Sequence, residues 1–383
     1  MPRRRVLARA SGEIPGPTLV CVGAIHGNEP AGVHAIHRVG QRLADAGSLV
    51  RGDFVGLVGN LEAFAQGRRF VERDLNRAWT RDRVGRLTVA PGDGGALHAE
   101  DMEQRELLTE IEWAIREARG PVHLIDLHTT SGSDGIFTVF GDALPHRAFA
   151  ERFSIPMVLG LEELVDGTII QHFGTRGIIA VTVETGRHDA PGSVDRAEAA
   201  VWLALDALGM LSESVRDQAV AGERTLRRAS AHLPRALEMR HRHAVRPGDG
   251  FLMRPGYKNF DRVARDEVVA SDAGGEVRAT EAARLLMPLY QDQGEDGFFL
   301  VRRFSPFWMW LSEQLRRARV DRIAPYLPGV RRVPGDPDAV TIDRRVARFF
   351  ARQLFHLLGF RRVEEAGPRL VMRRRPRHVN KGA

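Results

Sequence analysis

The sequence predicts an α/β fold, a doubly wound mixed sheet followed by a smaller β-rich domain and a C-terminal helical appendage. Three observations predict it. The runs Thr18–Ala24, Pro121–Leu127 and Ile178–Val183 are short, apolar and rich in β-branched residues, and each stops at polar or glycine residues, as buried strands do. Segments of helical period lie between them. From about Thr225 the texture turns to short β-like runs with turn signals, from ALEMRHRHAV to GFFLVRRF, and beyond Phe304 to two aromatic-striped helical segments. The boundaries so drawn are 1–222, 223–304 and 305–383.

In chain order, Thr18–Ala24 is the first strand and delivers His26 and Glu29 on the loop that follows. Pro30 opens a helix over Ala31–Ala46, with Gly47 near its end. In open α/β sheets such a loop, at the carboxyl end of a strand, is where ligands bind. Asp53–Val58 is a second strand, leading to an arginine-rich loop, Arg69–Arg77. Thr80–Leu97 is Gly-rich with no clean period and reads as a mobile surface loop or lid. Ala99–Ala118 is a helix with acidic residues in its first turns, favourable for the helix dipole. Pro121–Leu127 then ends in His128, Gly135–Phe140 is a strand, Leu144–Phe153 a helix and Met157–Leu159 a short strand. Ile178–Val183 ends in Glu184. Ser193–Leu208 is an amphipathic helix with Ser193 as N-cap and Gly209 just past its end.

Three strand ends thus carry His-x-x-Glu, His and Glu. Two neutral imidazoles and one carboxylate, with a fourth position for water, form the ligand set of a catalytic zinc site, which His26, Glu29 and His128 would supply. Asp126 shares a face with His128 by period-two alternation and would hold its imidazole. Glu184 is left over, and a free carboxylate there suits general-base work. Taken singly, a histidine at a strand end is more often a structural residue; the joint occurrence reverses the odds. Asp74-Leu75-Asn76-Arg77 also fits a turn that starts a helix, with Asp74 as its cap.

The single cysteine, Cys21, excludes an intrachain disulfide and suits a reducing compartment, and a cytoplasmic location is expected. No stretch approaches eighteen consecutive apolar residues, so no membrane span is expected. The formal charge of +7 invites a nucleic-acid partner. However, the basic residues are nearly all arginine and are interspersed with acidic ones, so nucleic acid is not expected. The dense run Arg369–Lys381 reads as a solvated or partly disordered tail, with an anionic surface as the minor alternative.

The motifs GAIHGNEPAG (Gly23–Gly32), RFVERDLNRAW (Arg69–Trp79), DLHTT (Asp126–Thr130) and VETG (Val183–Gly186), in that order, resemble the aspartoacylase and succinylglutamate desuccinylase family of zinc-dependent amidohydrolases, relatives of the zinc carboxypeptidases. The resemblance implies a carboxypeptidase-type sheet in 1–222 and a cap in 223–304 that narrows the cleft. It implies one zinc ion on His26, Glu29 and His128, and Glu184 as base and proton shuttle. Arg69 would polarise the scissile carbonyl, although Arg68 and Arg73 flank it and register decides which arginine faces the site. Asn76 and Arg77 would grip the substrate's α-carboxylate. Arg176, with His172 four residues before it, would read a second carboxylate, at a shorter spacing to Glu184 than in aspartate-specific members. A tyrosine from the cap is also implied; Tyr290 falls near but not at its place. His188 reads as a loop-surface residue.

The activity so implied is zinc-dependent hydrolysis of a small anionic N-acyl amino acid, of N-acetyl or N-succinyl type. A carboxypeptidase acting on peptide C-termini and a non-catalytic anion-binding protein are the alternatives. The aromatic stripes of Ser305–Arg316 and Arg344–Leu358 suit core packing or the contacts of a homo-oligomer.

Overall fold

The computed structural model describes residues 4–45, 47–88, 98–133, 135–343, 345–346, 351–366 and 369–375. A single eleven-stranded sheet runs through the chain. Its first eight strands are β1 (Val6–Ser11), β2 (Ile14–Gly23), β3 (Arg51–Val58), β4 (Val122–Thr130), β5 (Ile136–Phe140), β6 (Met157–Leu159), β7 (Ile179–Arg187) and β8 (Ala236–Ala244). In space they follow the order β1-β3-β2-β4-β7-β5-β6-β8. β3, β2, β4 and β7 are mutually parallel, and β5 reverses direction against β7.

Both faces of the central strands are dry, which is why they read as continuous apolar runs. Leu19 and Cys21 of β2 pack on one side with Ile36 and Val39 of helix Ala31–Leu43 and with Trp202 of helix Gly192–Ala207. Val20 and Val22 pack on the other with Leu107 and Ile111 of helix Ala99–Arg116. This is the doubly wound arrangement that the sequence predicts.

Three expectations are corrected. The strands after residue 223 do not stand apart as a capping sheet: β8 pairs with β6, and Asp296–Arg303, Ala283–Leu286 and Arg262–Val263 continue the main sheet to its far edge. Among the described residues of 223–304, the small sheet of Leu252–Met253, Val268–Asp272 and Gly275–Arg278 is the part that stands separate. The appendage is not helical. Besides helices Pro306–Arg317 and Ala351–Leu357 it holds a four-stranded antiparallel sheet, Val330–Val333, Asp336–Asp343, Arg369–Arg374 and Phe360–Ala366 in that spatial order. Its core includes Ile342, Phe355, Phe360, Leu370 and Met372. Part of the basic tail is therefore a strand. Leu370 and Met372 point inward at period two, a pattern that the arginines around them hide; residues 376–383 lie outside the described residues. Finally, a helix forms over Arg81–Thr88 where an irregular lid is expected, and residues 89–97 fall outside the description.

The appendage docks through buried charge. Asp142 accepts hydrogen bonds from Arg147 at 2.6 Å and from Arg316 at 2.7 Å, and Arg375 donates to Glu162 at 2.8 Å and Glu163 at 3.1 Å. Burial opposes ionisation of Asp142, but Arg147, Arg316 and Arg375 outweigh it and hold the carboxyl far below its usual range. Phe307, Trp308 and Trp310, by contrast, are exposed rather than packed in a core. Among the described residues no helix is long and apolar enough to cross a membrane.

His123 of β4 and His146 lie buried beneath this layer, and burial lowers each from 6.5 to about 4. The folded chain therefore binds fewer protons than the unfolded chain across that interval. The stability these rings contribute is complete above pH 6.5 and is lost as the pH falls to about 4, by roughly 3 kcal/mol apiece. Urea unfolding midpoints are expected to drop between pH 7 and pH 4.5. The drop should be smaller in His123→Phe, whose ring replaces the imidazole against Phe149; an equal drop in both would place the titration elsewhere.

Candidate active site

The site is built where β2, β4 and β7 end side by side. β2 leads into His26, and Gly27, the next residue, has no room for a side chain: a Cβ there would sit 2.2 Å from the carbonyl carbon of Ala63. The tight turn brings Glu29 back toward His26. The register of β4 against β7 sets His128 beside Glu184.

His26, Glu29 and His128 are all buried, and one donor atom of each lies within 4.8 Å of the others. His26 Nδ1 is 2.8 Å from Glu29 Oε1, and His128 Nδ1 is 3.1 Å from Glu29 Oε2. The remaining nitrogens face carboxylates. His128 Nε2 lies 2.6 Å from Asp126, and His26 Nε2 lies 3.1 Å from Asp74. Both Nδ1 atoms lie against Glu29, between the two rings, and the carboxylates at Nε2, with Arg69 Nη2 2.9 Å from His26 Nε2, hold each ring in that orientation. Glu29 is itself oriented by the Thr129 backbone N–H, which donates to Oε2 at 2.8 Å. Asp126 stands where alternation along β4 predicts. Asp74 is both the cap of the Leu75–Arg77 turn, as the sequence suggests, and the partner of His26.

The electrostatics suit a cation. Burial opposes charge on Glu29 and Asp74, yet the imidazoles, joined at Asp74 by Arg69 and Arg77, hold both carboxyls well below their usual range. Burial likewise opposes charge on His128, and Asp126 and Glu29 outweigh it, raising the ring well above its usual value. Glu184 is different. Burial, with Glu29 and Asp126 adding to it against the pull of His128, pushes its carboxyl up to about 8, and its Oε2 is buried without a hydrogen-bond partner. Four dry carboxyl groups around two imidazoles, with Glu184 Oε2 and Asp126 Oδ1 left without a partner, fit a divalent ion of zinc type.

Arg69 is the arginine that faces the site: Nη2 donates to Asp74 at 3.0 Å and Nη1 lies 3.5 Å from Glu29. Arg68 is exposed, and Arg73 pairs with Asp101. Asn76 and Arg77 line the same cleft. Asn76 Oδ1 accepts from Ile169 N at 2.9 Å, which leaves its amide with only long contacts to Asp126 and His128. Arg77 donates to Asp296 at 2.5 Å.

Arg176 and His172 do not join this group. Helix Ile169–Thr175 turns its start to the cleft and its end away, so Arg176 pairs with Glu112 and His172 packs on Trp79, both on an outer groove. His188, read as a surface residue, lines the cleft and lies 2.7 Å from Thr129 Oγ1 and 3.1 Å from Gln291. From the capping region, Gln291 reaches His188 and also accepts from Asn28 at 2.8 Å; Tyr290 instead donates to Arg254 O, outside the cleft. Glu100, fully buried, was likewise hidden from the sequence. It accepts from the backbone N–H groups of Val71, Glu72 and Arg73 and so fixes the irregular loop that carries Arg69. An acidic residue in a helix's first turn, as Glu100 and Asp101 both are, signals only a dipole contact.

Residues 15–207 match the family model for the succinylglutamate desuccinylase/aspartoacylase catalytic domain. The chain belongs to this family. A curated succinylglutamate desuccinylase of Pseudomonas paraeruginosa is 33% identical over 114 residues, 30% of this chain and 31% of that protein, so the match spans under a third of the relative's length. A succinylglutamate desuccinylase/aspartoacylase structure from Rhodobacter sphaeroides superposes with a TM-score of 0.55 at 19% identity, over 76% of this chain and 87% of that one. The product-bound ectoine utilization protein of Ruegeria pomeroyi gives 0.52 at 20% identity, over 76% and 86%. These likenesses establish the family's fold.

The carboxylates behind the imidazoles make a direct prediction. Asp74→Asn is expected to weaken divalent-metal affinity about 10–100-fold with the fold retained, read by chelator competition. Unchanged affinity would mean that His26 does not depend on Asp74.

Proposed function

We propose that the chain is a zinc-dependent deacylase that hydrolyses the amide bond of a small N-acyl amino acid. The observation that carries this reading is the convergence of His26, Glu29 and His128 beside an unpartnered, buried Glu184. The two imidazole Nδ1 atoms and Glu29 would hold the ion, which supplies Lewis-acid polarisation and lowers the pKa of water when bound.

The chain's own residues divide the rest of the work. Glu184, its carboxyl raised by burial, is suited to take a proton from the attacking water and return it to the departing amine nitrogen. Arg69, anchored on Asp74, places a guanidinium beside Glu29, where it would steady the oxygen of the attacked carbonyl as charge develops. The Asn76 amide and Arg77 Nε are the donors least committed within the protein, and they would orient the substrate carboxylate. Gln291 and Gln293 reach across from the far region, bonding to Asn28 and to the Arg69 and Phe70 backbone. That narrowing favours a small substrate over a peptide C-terminus.

Purified protein is expected to carry about one zinc per chain and to lose activity on chelation. Glu184→Gln should abolish turnover of N-acetyl or N-succinyl amino acids while the zinc content stays unchanged; loss of zinc would instead make Glu184 a ligand. Arg77→Ala should chiefly raise KM, by the roughly 1.5–3 kcal/mol of a charge-assisted hydrogen bond. An unchanged kcat/KM would remove Arg77 from the substrate site.

A further inference from the structure

Helix Pro306–Arg317 is inside out. A surface helix ordinarily turns its apolar stripe to the core and its charges to water. Here the buried residues are Ser312 and Arg316, whereas Phe307, Trp308 and Trp310 are 57%, 46% and 55% exposed. Polar bonds fix this orientation. Arg316 donates to Asp142 at 2.7 Å and to the His356 carbonyl at 2.8 Å, and Ser312 Oγ donates to the Leu357 carbonyl at 2.9 Å. A rotation of the helix that covered the aromatics would break all three. The rings are also gathered: the Phe307 centroid lies 5.2 Å from that of Trp308 and 6.2 Å from that of Trp310. Single apolar residues on a surface are ordinary, but a contiguous aromatic patch marks a contact surface.

The ground around the patch is basic. Arg317, seven residues after Trp310 and so on the same side of the helix, is exposed, as are Arg319 and Arg322 just beyond it. At the other end Arg303 and Arg235 are exposed on the strand ends that lead to the helix, where Phe304 N donates to Ala236 O at 2.9 Å. Two carboxylates stand by the helix and leave arginine in excess: Glu313 pairs with Arg317 at 2.6 Å, and Glu151 lies among Arg147, Arg235 and Arg317.

That charge selects the occupant. A second copy of the chain laid on this face would set arginine against arginine. Single-stranded nucleic acid needs ring faces laid open for its bases, whereas Phe307 and Trp308 meet edge to face at 68° and project as one knob. Aromatic rings ringed by arginine match the headgroup layer of an anionic bilayer, where Trp and Phe seat among the glycerol and upper acyl groups and guanidinium groups meet lipid phosphates.

We propose that helix Pro306–Arg317 is a peripheral docking surface for an anionic lipid bilayer, with Phe307, Trp308 and Trp310 as the inserted residues. The contact is peripheral because, among the described residues, no helix is long and apolar enough to cross. The helix lies outside 15–207, so the proposal is independent of the deacylase reading.

Flotation of the full chain with vesicles tests it, using phosphatidylcholine alone and phosphatidylcholine mixed two to one with phosphatidylglycerol. The unaltered protein is expected to partition onto the mixed vesicles at least tenfold more strongly. Phe307→Ser, Trp308→Ser and Trp310→Ser combined should lower that partitioning tenfold or more. Arg317→Gln, Arg319→Gln and Arg322→Gln combined should remove most of the preference for the mixed vesicles. All six positions are exposed, so far-UV circular dichroism and the urea midpoint should not change; if the serine changes lower the midpoint, Trp310→Glu alone carries the same test. No partitioning by the unaltered protein, equal partitioning onto both vesicles, or partitioning that survives the serine changes overturns the proposal. A dimer in light scattering that the serine changes convert to monomer also overturns it and gives the face to a second copy. Binding of a single-stranded oligonucleotide that is lost with the same changes gives the face to nucleic acid instead.

Discussion

The site depends on the lateral order of three parallel strands. β2, β4 and β7 are neighbours, and their pairing fixes the depth at which each polypeptide leaves the sheet. A slip of one residue between β4 and β7 would turn Glu184 to the opposite face, since side chains alternate along a strand. The dry apolar packing on both sheet faces therefore positions a polar centre of buried imidazoles and carboxylates. That centre is costly by itself, because each buried carboxylate forfeits its hydration. The hydrogen bonds from His26, His128, Arg69 and the Thr129 backbone recover part of that cost, and the remainder is what gives the group its appetite for a cation.

The arginine loop shows a second way of holding functional groups. Residues 69–74 have almost no regular structure, and their backbone N–H groups would be unsatisfied without outside help. Glu100 answers three of them with one carboxylate. The loop is as well fixed as a strand, by a residue with no chemical part in the site.

How much of this is legible in the sequence follows from the range of each interaction. His26, Glu29, His128 and Glu184 lie next to strands whose apolar runs announce themselves, and Asp126 follows from alternation. Asp74 reaches His26, and Glu100 the arginine loop, across dozens of residues through side-chain hydrogen bonds, which leave no periodic trace. Arg176 misled because spacing along the chain does not say which side of helix Ile169–Thr175 a residue occupies. Its pairing with Glu112 and its place on the outer groove belong to tertiary structure alone. The appendage differs from its sequence pattern for a related reason: alternating Leu370 and Met372 are a strand signal of two residues set among arginines, and one of their two partner strands begins at Asp336, 33 residues before Arg369.

The continuity of the great sheet bears on how a ligand enters. Asp296, which faces Arg77 across the cleft, begins a strand bonded to β8, and β8 is bonded through β6 and β5 to the strand bearing Glu184. The two banks are thus parts of one girder and cannot swing apart like a jaw about a hinge. The threshold is the span 287–295, which lies between strands and is tied to the opposite bank by side chains, Gln291 to Asn28, Gln293 to the Arg69 and Phe70 backbone and Ser131 to Pro288 and Tyr290, a sill fastened onto a fixed frame.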